Sequence, residues 1–173
     1  MHSCALMLPL SFSLALIFSP AAGAQSTETD LKSAKQPQVD ARLSSVLDAT
    51  DVRYTALESG DLEVLAALPD GRRQRVILRS STHAYRREEW REVYSIAHEL
   101  PTDSTPPPAL LERLLVDNDT LVLGAWSVAR GRVALVTRLP ARSSPLRVVE
   151  AIDFVAEVAD ALERELEGDL DQR

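Results

Sequence analysis

The 173-residue chain is poor in sulfur, lysine and aromatic rings: one Cys, two Met, two Lys, and 5% aromatic residues. Cys4, Met1 and Met7 all sit at the extreme N-terminus. The remainder can form no disulfide, offers no thiol nucleophile and has no sulfur ligand for zinc. A chain with nothing to oxidise at sulfur is compatible with an oxidising compartment. Among six glycines there is no glycine-rich phosphate loop. Beyond His2 the only imidazoles are His83 and His98, with no acid-base motif around either. Ser80-Ser81 and Ser143-Ser144 stand in no nucleophile-elbow context. Basic charge is also short: 19 Lys plus Arg against 26 Asp plus Glu give a net charge of -7, a balance that argues against nucleic-acid or anionic-membrane binding.

What is present begins with an address. Met1 to Ala24 contains no Asp, Glu, Lys or Arg, and Ala5 to Phe18 reads ALMLPLSFSLALIF, a secretory apolar core. Ser19-Pro20 breaks it, and Ala22-Gly23-Ala24 before Gln25 is the small-x-small pattern of a signal-peptidase site. Residues 1–24 therefore read as a signal peptide cleaved after Ala24, and the protein as periplasmic or secreted, with no stable membrane span once the signal is removed. The competing reading is an uncleaved anchor, because the n-region has only the terminal amine and His2, and Ala5 to Ala24 could just cross a core of about 30 Å. Pro9 and Pro20 weaken that alternative. Residues 25–38 are polar, hold Lys32 and Lys35, and show no apolar period, which reads as a disordered linker.

From residue 39 to 169 the pattern is that of one folded domain, followed by a tail at 170–173. Val39, Leu43, Val46 and Leu47 repeat at helical spacing behind Asp40, a candidate cap, and this first helix ends near Ala49. Val52 to Leu57, Leu62 to Leu68 and Arg73 to Ser80 are strand-like runs separated by Glu58-Ser59-Gly60-Asp61 and Pro69-Asp70-Gly71-Arg72. Glu89 to Glu99 suits either a helix or a fourth strand, with the balance towards the strand. Pro101 to Pro108 is an extended loop. Ala109 to Val116 is a leucine-rich helix stopped by Asp117-Asn118-Asp119, and Leu121 to Ala129 with Arg132 to Leu139 form a hairpin around Arg130-Gly131. Pro145 to Glu167 is a long helix with Gly168 as its stop. The expected fold is α+β, an antiparallel sheet of five to six strands in two meanders packed by helices, in the order α-βββ(β)-α-ββ-α. Trp90 and Trp126, flanking strand patterns, are expected in the core.

The last helix carries the strongest functional pattern. At 100° per residue Val148, Ile152, Val155, Ala159, Leu162 and Leu166 share one side, and Glu150, Asp153, Glu157 and Asp160 line the other. Adding Ala151, Phe154, Val158 and Ala161 widens the apolar arc to roughly 240°, well beyond the stripe of about 100° that a surface helix needs. Either the helix lies in a deep groove, or Phe154, Val158 and Ala161 form a dimer or partner interface. Membrane-surface binding is the least favoured alternative, since the polar face is acidic. The acidic stripe is a solvated face rather than a cation site, and neither Asp117-Asn118-Asp119 nor Asp169-Leu170-Asp171 continues into an EF-hand spacing. Arg72, Arg73, Arg75 and Arg79, followed by Arg86, Arg87 and Arg91, are either an anion-binding or partner-docking patch or an outward strand face paired with nearby acids. Partner binding is accordingly assigned to Phe154, Val158, Ala161, Arg73 and Arg75, with no catalytic residue, metal or cofactor.

The stretches LESGDLEVLAALPDGRRQRVILR, ALLERLLVDNDTLVLGAWSVARGRVALVTRLPA and LRVVEAIDFVAEVADALERELEGD resemble the YbjN-like family, which shares the type III secretion chaperone-like fold. With the first helix they cover about Val39 to Asp169. The resemblance implies a small, acidic, non-enzymatic protein-binding domain, commonly dimeric, that offers grooves to an extended partner segment. The signal peptide departs from it, because secretion chaperones act on effectors in the cytoplasm. The functional expectation is an exported protein- or peptide-binding module of the cell envelope, chaperone-like or regulatory, with a homodimer through the last helix as one option. The alternative is a secreted small-ligand binder or enzyme using His83, His98 or the arginines.

Overall fold

The described residues of a computed structural model are 38–102 and 104–171, with nothing said of the side chains of 169–171. The signal peptide, its cleavage site and nearly all of the linker lie outside them, as do residues 172–173 of the tail. Among the described residues nine elements follow one another: α1 (Ala41–Asp48), β1 (Tyr54–Ala56), β2 (Leu62–Ala67), β3 (Arg73–Tyr85), β4 (Glu88–Glu99), α2 (Pro108–Thr120), β5 (Ala125–Ala129), β6 (Arg132–Pro140) and α3 (Pro145–Asp171). The strands make one antiparallel six-stranded sheet in the order β1-β2-β3-β4-β6-β5, joined across the β4–β6 pair. The fold is α+β with the element order expected from the sequence.

Local chemistry explains most boundaries. Asp40 caps α1, its carboxylate accepting the Arg42 backbone N–H at 2.9 Å. Residues 88–99 are a strand, with Arg91, Val93, Ser95 and Ala97 buried and the intervening residues half-exposed. Arg130 and Gly131, at φ 54° and 71°, make a two-residue turn with both residues left-handed, the geometry that best matches the twist of a hairpin. Pro107 and Pro108 start α2, and the Ser144 hydroxyl accepts the Arg147 N–H at 3.4 Å at the start of α3.

Several expected boundaries shift: β3 runs past Ser80 to Tyr85, β1 shortens to Tyr54–Ala56, and three others have identifiable causes. The helix α2 runs through Asp117-Asn118-Asp119 to Thr120 instead of stopping there, because these residues find partners in place: Arg113 holds Asp117 at 3.1 Å, and the Asn118 Oδ1 accepts the Trp126 N–H at 2.6 Å. The strand β5 begins at Ala125 rather than Leu121, since Val122 stands 86% exposed in the connection. Helix α3 continues through Gly168 to Asp171; Gly168 has no left-handed φ and so is not a stop.

All three helices contribute to one core on one face of the sheet. Leu43 and Leu47 of α1, Leu114 of α2, and Val148, Ile152, Val155, Ala159 and Leu162 of α3 join Leu62, Val64, Val76, Leu78, Val93, Trp126, Val133 and Leu135. Helix α3 crosses β2, β3, β4 and β6, α1 packs beside it, and α2 packs on β5. Trp126 is buried, whereas Trp90 is only half-buried. None of the described helices is long and apolar enough to cross a membrane.

Candidate functional site

Strand alternation sends every second side chain to the face the helices leave open. In β3 those are Arg73, Arg75, Ile77 and Arg79; in β4 Glu92, Tyr94 and Ile96; in β6 Arg132, Ala134, Val136 and Arg138; in β5 Ser127 and Ala129. This face is hollowed between β3 and β5. A groove of about 270 Å³ results, lined by Arg79, Glu92, Tyr94, Ile96, Ser127, Ala129, Arg130, Arg132, Ala134, Val136 and Arg138. Four guanidinium groups line it over a floor of apolar side chains, with Arg79 and Arg138 beside Glu92 and Arg130 and Arg132 at the other end.

The charges are organised rather than scattered. Glu92 lies between two arginines: Arg138 donates to its Oε1 from Nη2 at 2.7 Å and from Nε at 3.1 Å, and the Arg79 Nε is 3.8 Å from its Oε2. The Arg79 guanidinium also sits 5.4 Å from the centre of the Tyr94 ring. At the far end Arg132 reaches Glu99 at 3.6 Å. Arg130 forms no ion pair among the described residues, and its exposed side chain stands on a left-handed backbone position. Such a position favours Gly, Asn or Asp.

Of the five residues assigned to partner binding, Arg73 and Arg75 lie on this open face, one strand position after another along β3. Arg75 pairs with Glu63 at 3.1 Å, and Arg73 lines a neighbouring depression with Arg53, Tyr54, Glu63 and Leu65. Phe154, Val158 and Ala161 are on α3, beyond the opposite face of the sheet. Phe154 and Val158 are half-buried against the core on the flank of α3 that also carries Glu165, which pairs with Arg113 of α2 at 2.5 Å. Ala161 is exposed. The structure therefore divides the five residues between two separate surfaces.

Two charged residues change role. Arg91, grouped with the strand arginines in the sequence, is 3% exposed on the helix side of β4, where it binds Asp40 at 2.6 Å and donates to the Arg79 carbonyl. Asp160, counted in the solvated stripe of α3, is buried; it pairs with Arg72 and, at 3.3 Å, with Arg164. Arg86 and Arg87 form the turn at the other end of the β3–β4 hairpin. Sequence reasoning missed Arg130, Arg132, Arg138, Glu92 and Tyr94 as groove residues. The even spacing of Arg132 and Arg138 along one strand puts them on one face and was the available signal.

His83 and His98 cannot act together. His83 pairs with Trp90 across the β3–β4 ladder and His98 sits eight residues further along β4, a separation of roughly 25 Å at the rise of a strand. Ser80 is engaged structurally, its hydroxyl donating to the Gly60 carbonyl at 2.5 Å and accepting the Asp40 N–H at 3.0 Å. Among the described residues no group of three or more His, Cys, Asp or Glu could hold a metal ion. No family model and no curated protein matches the chain.

Proposed function

We propose that the chain is an exported, non-enzymatic module that binds a protein or peptide in the cell envelope, and that it does so with the open face of its sheet. The observation that carries this reading is the groove itself. It is concave, half apolar and edged by guanidinium groups, of which Arg130 has no intramolecular ion pair among the described residues. Guanidinium forks above exposed aliphatic and aromatic surface are the chemistry of protein interfaces. Export rests on the charge-free apolar segment before Gln25, and the resemblance to the YbjN-like family supports binding over catalysis.

The last helix offers less free surface. Phe154 and Val158 are half covered by the fold's own side chains, which is what a helix set in a deep groove needs, and Ala161 alone of the three is exposed. The test compares Arg79→Glu/Arg138→Glu with Ala161→Asp, each expressed from the full sequence in a bacterial envelope and cross-linked there. Loss of the cross-linked species with the arginine pair and its retention with Ala161→Asp are expected. The reverse pattern moves the interface to α3. A small-ligand binder would instead show a rise in melting temperature with a metal, nucleotide or metabolite in a thermal-shift screen.

A further inference from the structure

We infer that the groove on the open face takes a short, acidic, extended peptide segment, whose carboxylates bind between the arginines that now hold Glu92. This rests on the proposed binding function and names the partner's chemistry.

Three observations lead there. The groove keeps a small basic excess in a protein whose net charge is -7: Arg79, Arg130, Arg132 and Arg138 stand against Glu92, against Asp61 at 3.7 Å from Arg79 and against Glu99 at 3.6 Å from Arg132. A long polyanion such as a nucleic acid or a lipid surface meets the whole negative molecule, whereas a short segment meets only the groove. Glu92 also shows which anion the arginines fit. Its carboxylate accepts two N–H groups of Arg138 and lies near Arg79, so the site is already arranged around a carboxylate. Finally, Arg130 occupies a left-handed position of a two-residue turn where Asn or Gly would cost less. The residue that folding would choose there is not arginine, and an arginine in that place extends the basic edge of the groove.

The binding step is an exchange. An incoming carboxylate takes Arg138 and Arg79 from Glu92, while Arg130, joined by Arg132 on its release from Glu99, meets a second acidic side chain further along the segment. Tyr94, Ile96, Ala134 and Val136 supply apolar contact for the stems between them.

The experiment uses protein purified from expression of the full sequence and a fluorescein-labelled hexaglutamate peptide, with hexaglutamine, a short single-stranded oligonucleotide and phosphatidylglycerol vesicles as comparators. Hexaglutamate is expected to bind, more weakly as salt rises, and hexaglutamine not to bind. Arg79→Gln/Arg138→Gln should weaken binding roughly tenfold or more, and Arg147→Gln, on α3, should leave it unchanged. Glu92→Gln should tighten it by removing the internal competitor. Arg130→Asn is the variant that separates binding from folding: it should raise the melting temperature, by relieving the turn, while lowering affinity. Binding of hexaglutamate that is indifferent to all the groove arginines overturns both this inference and the assignment of the open face. Oligonucleotide or vesicle binding that beats hexaglutamate and is lost with the same arginines overturns the carboxylate chemistry alone. An Arg130→Asn variant that binds as tightly as the parent, or a Glu92→Gln variant that binds no tighter, overturns the corresponding part of the exchange.

Discussion

Asp40 does three jobs with one carboxylate. It caps α1, pairs with Arg42 at 2.8 Å and neutralises Arg91, which is 3% exposed. The hydrogen bond from Arg42, with that from Arg91, holds its carboxyl well below the usual carboxylate range against the opposing effect of burial. Because the folded value is depressed, the stabilisation is complete above the unfolded carboxyl pKa near about 4 and is lost as pH falls from there through the folded value. Asp40→Asn keeps a capping oxygen but leaves Arg91 buried without its counter-charge. We expect it to cost roughly 2 to 4 kcal/mol at neutral pH in urea unfolding, and to remove part of the fall in stability below about pH 4. Arg91→Leu in the Asp40→Asn background should recover part of that loss, since no buried charge is then left unpaired. If Asp40→Asn unfolds at the same urea concentration as the parent, the pair contributes nothing. The same contrast explains why Arg91 and Arg75 could not be told apart in sequence. Both lie in arginine-rich strand runs, and what separates them is Asp40, which the fold places against Arg91 and not against Arg75.

At the level of elements, much was legible because hairpins, caps and prolines are local signals. The strand pattern, the Arg130-Gly131 turn and the entry of α2 at Pro107-Pro108 each depend on residues within a few positions of one another. The ends of α2 and α3 were not legible. Asn118 reads as a helix stop until Trp126 comes within reach of its amide, where it occupies the N–H and C=O of β5 at that residue, Oδ1 accepting at 2.6 Å and Nδ2 donating at 3.4 Å. That contact also closes part of an edge strand that would otherwise be open to pairing. Gly168 reads as a stop yet is helical, and a Cβ there would meet nothing within 4 Å. Gly168→Ala should therefore stabilise the end of α3 by up to about 1 kcal/mol, visible as a small rise in helical signal and melting temperature. A loss of stability would mean that the glycine terminates the helix after all. Gly124 is the opposite case: a Cβ would stand 2.6 Å from the Val136 carbonyl oxygen, so Gly124→Ala should lower the melting temperature by forcing the connection away from β6. The groove's full arginine set was illegible for a related reason: β3 and β6 are distant in sequence and become close only through β4 between them.

Over the whole molecule the two faces of the sheet differ in charge as well as in cover. The open face carries Arg73, Arg75, Arg79, Arg132 and Arg138 against Glu63 and Glu92, whereas the outer side of α3 presents Glu150, Asp153, Glu157 and Glu165 against Arg147 and Arg164. This polarity bears on self-association. An isologous dimer brings each patch against its own copy across the two-fold axis, so a pair of chains meeting on the exposed side of α3 around Ala161 would set like charges together. Neither Phe154 nor Val158 offers a fully exposed apolar side chain to offset that repulsion. The expected mass by light scattering, on protein expressed from the full sequence, is that of one chain at low ionic strength. Raising salt screens acid-acid repulsion over about 10 Å, so a dimer through α3 would be revealed as a mass that grows with salt and returns to one chain with Ala161→Asp. A mass above one chain at low salt that keeps growing with protein concentration, and is lost with Arg79→Glu instead, would point to a head-to-tail contact between the acidic helix of one copy and the basic groove of the next. In that outcome the acidic segment filling the groove would belong to the protein itself.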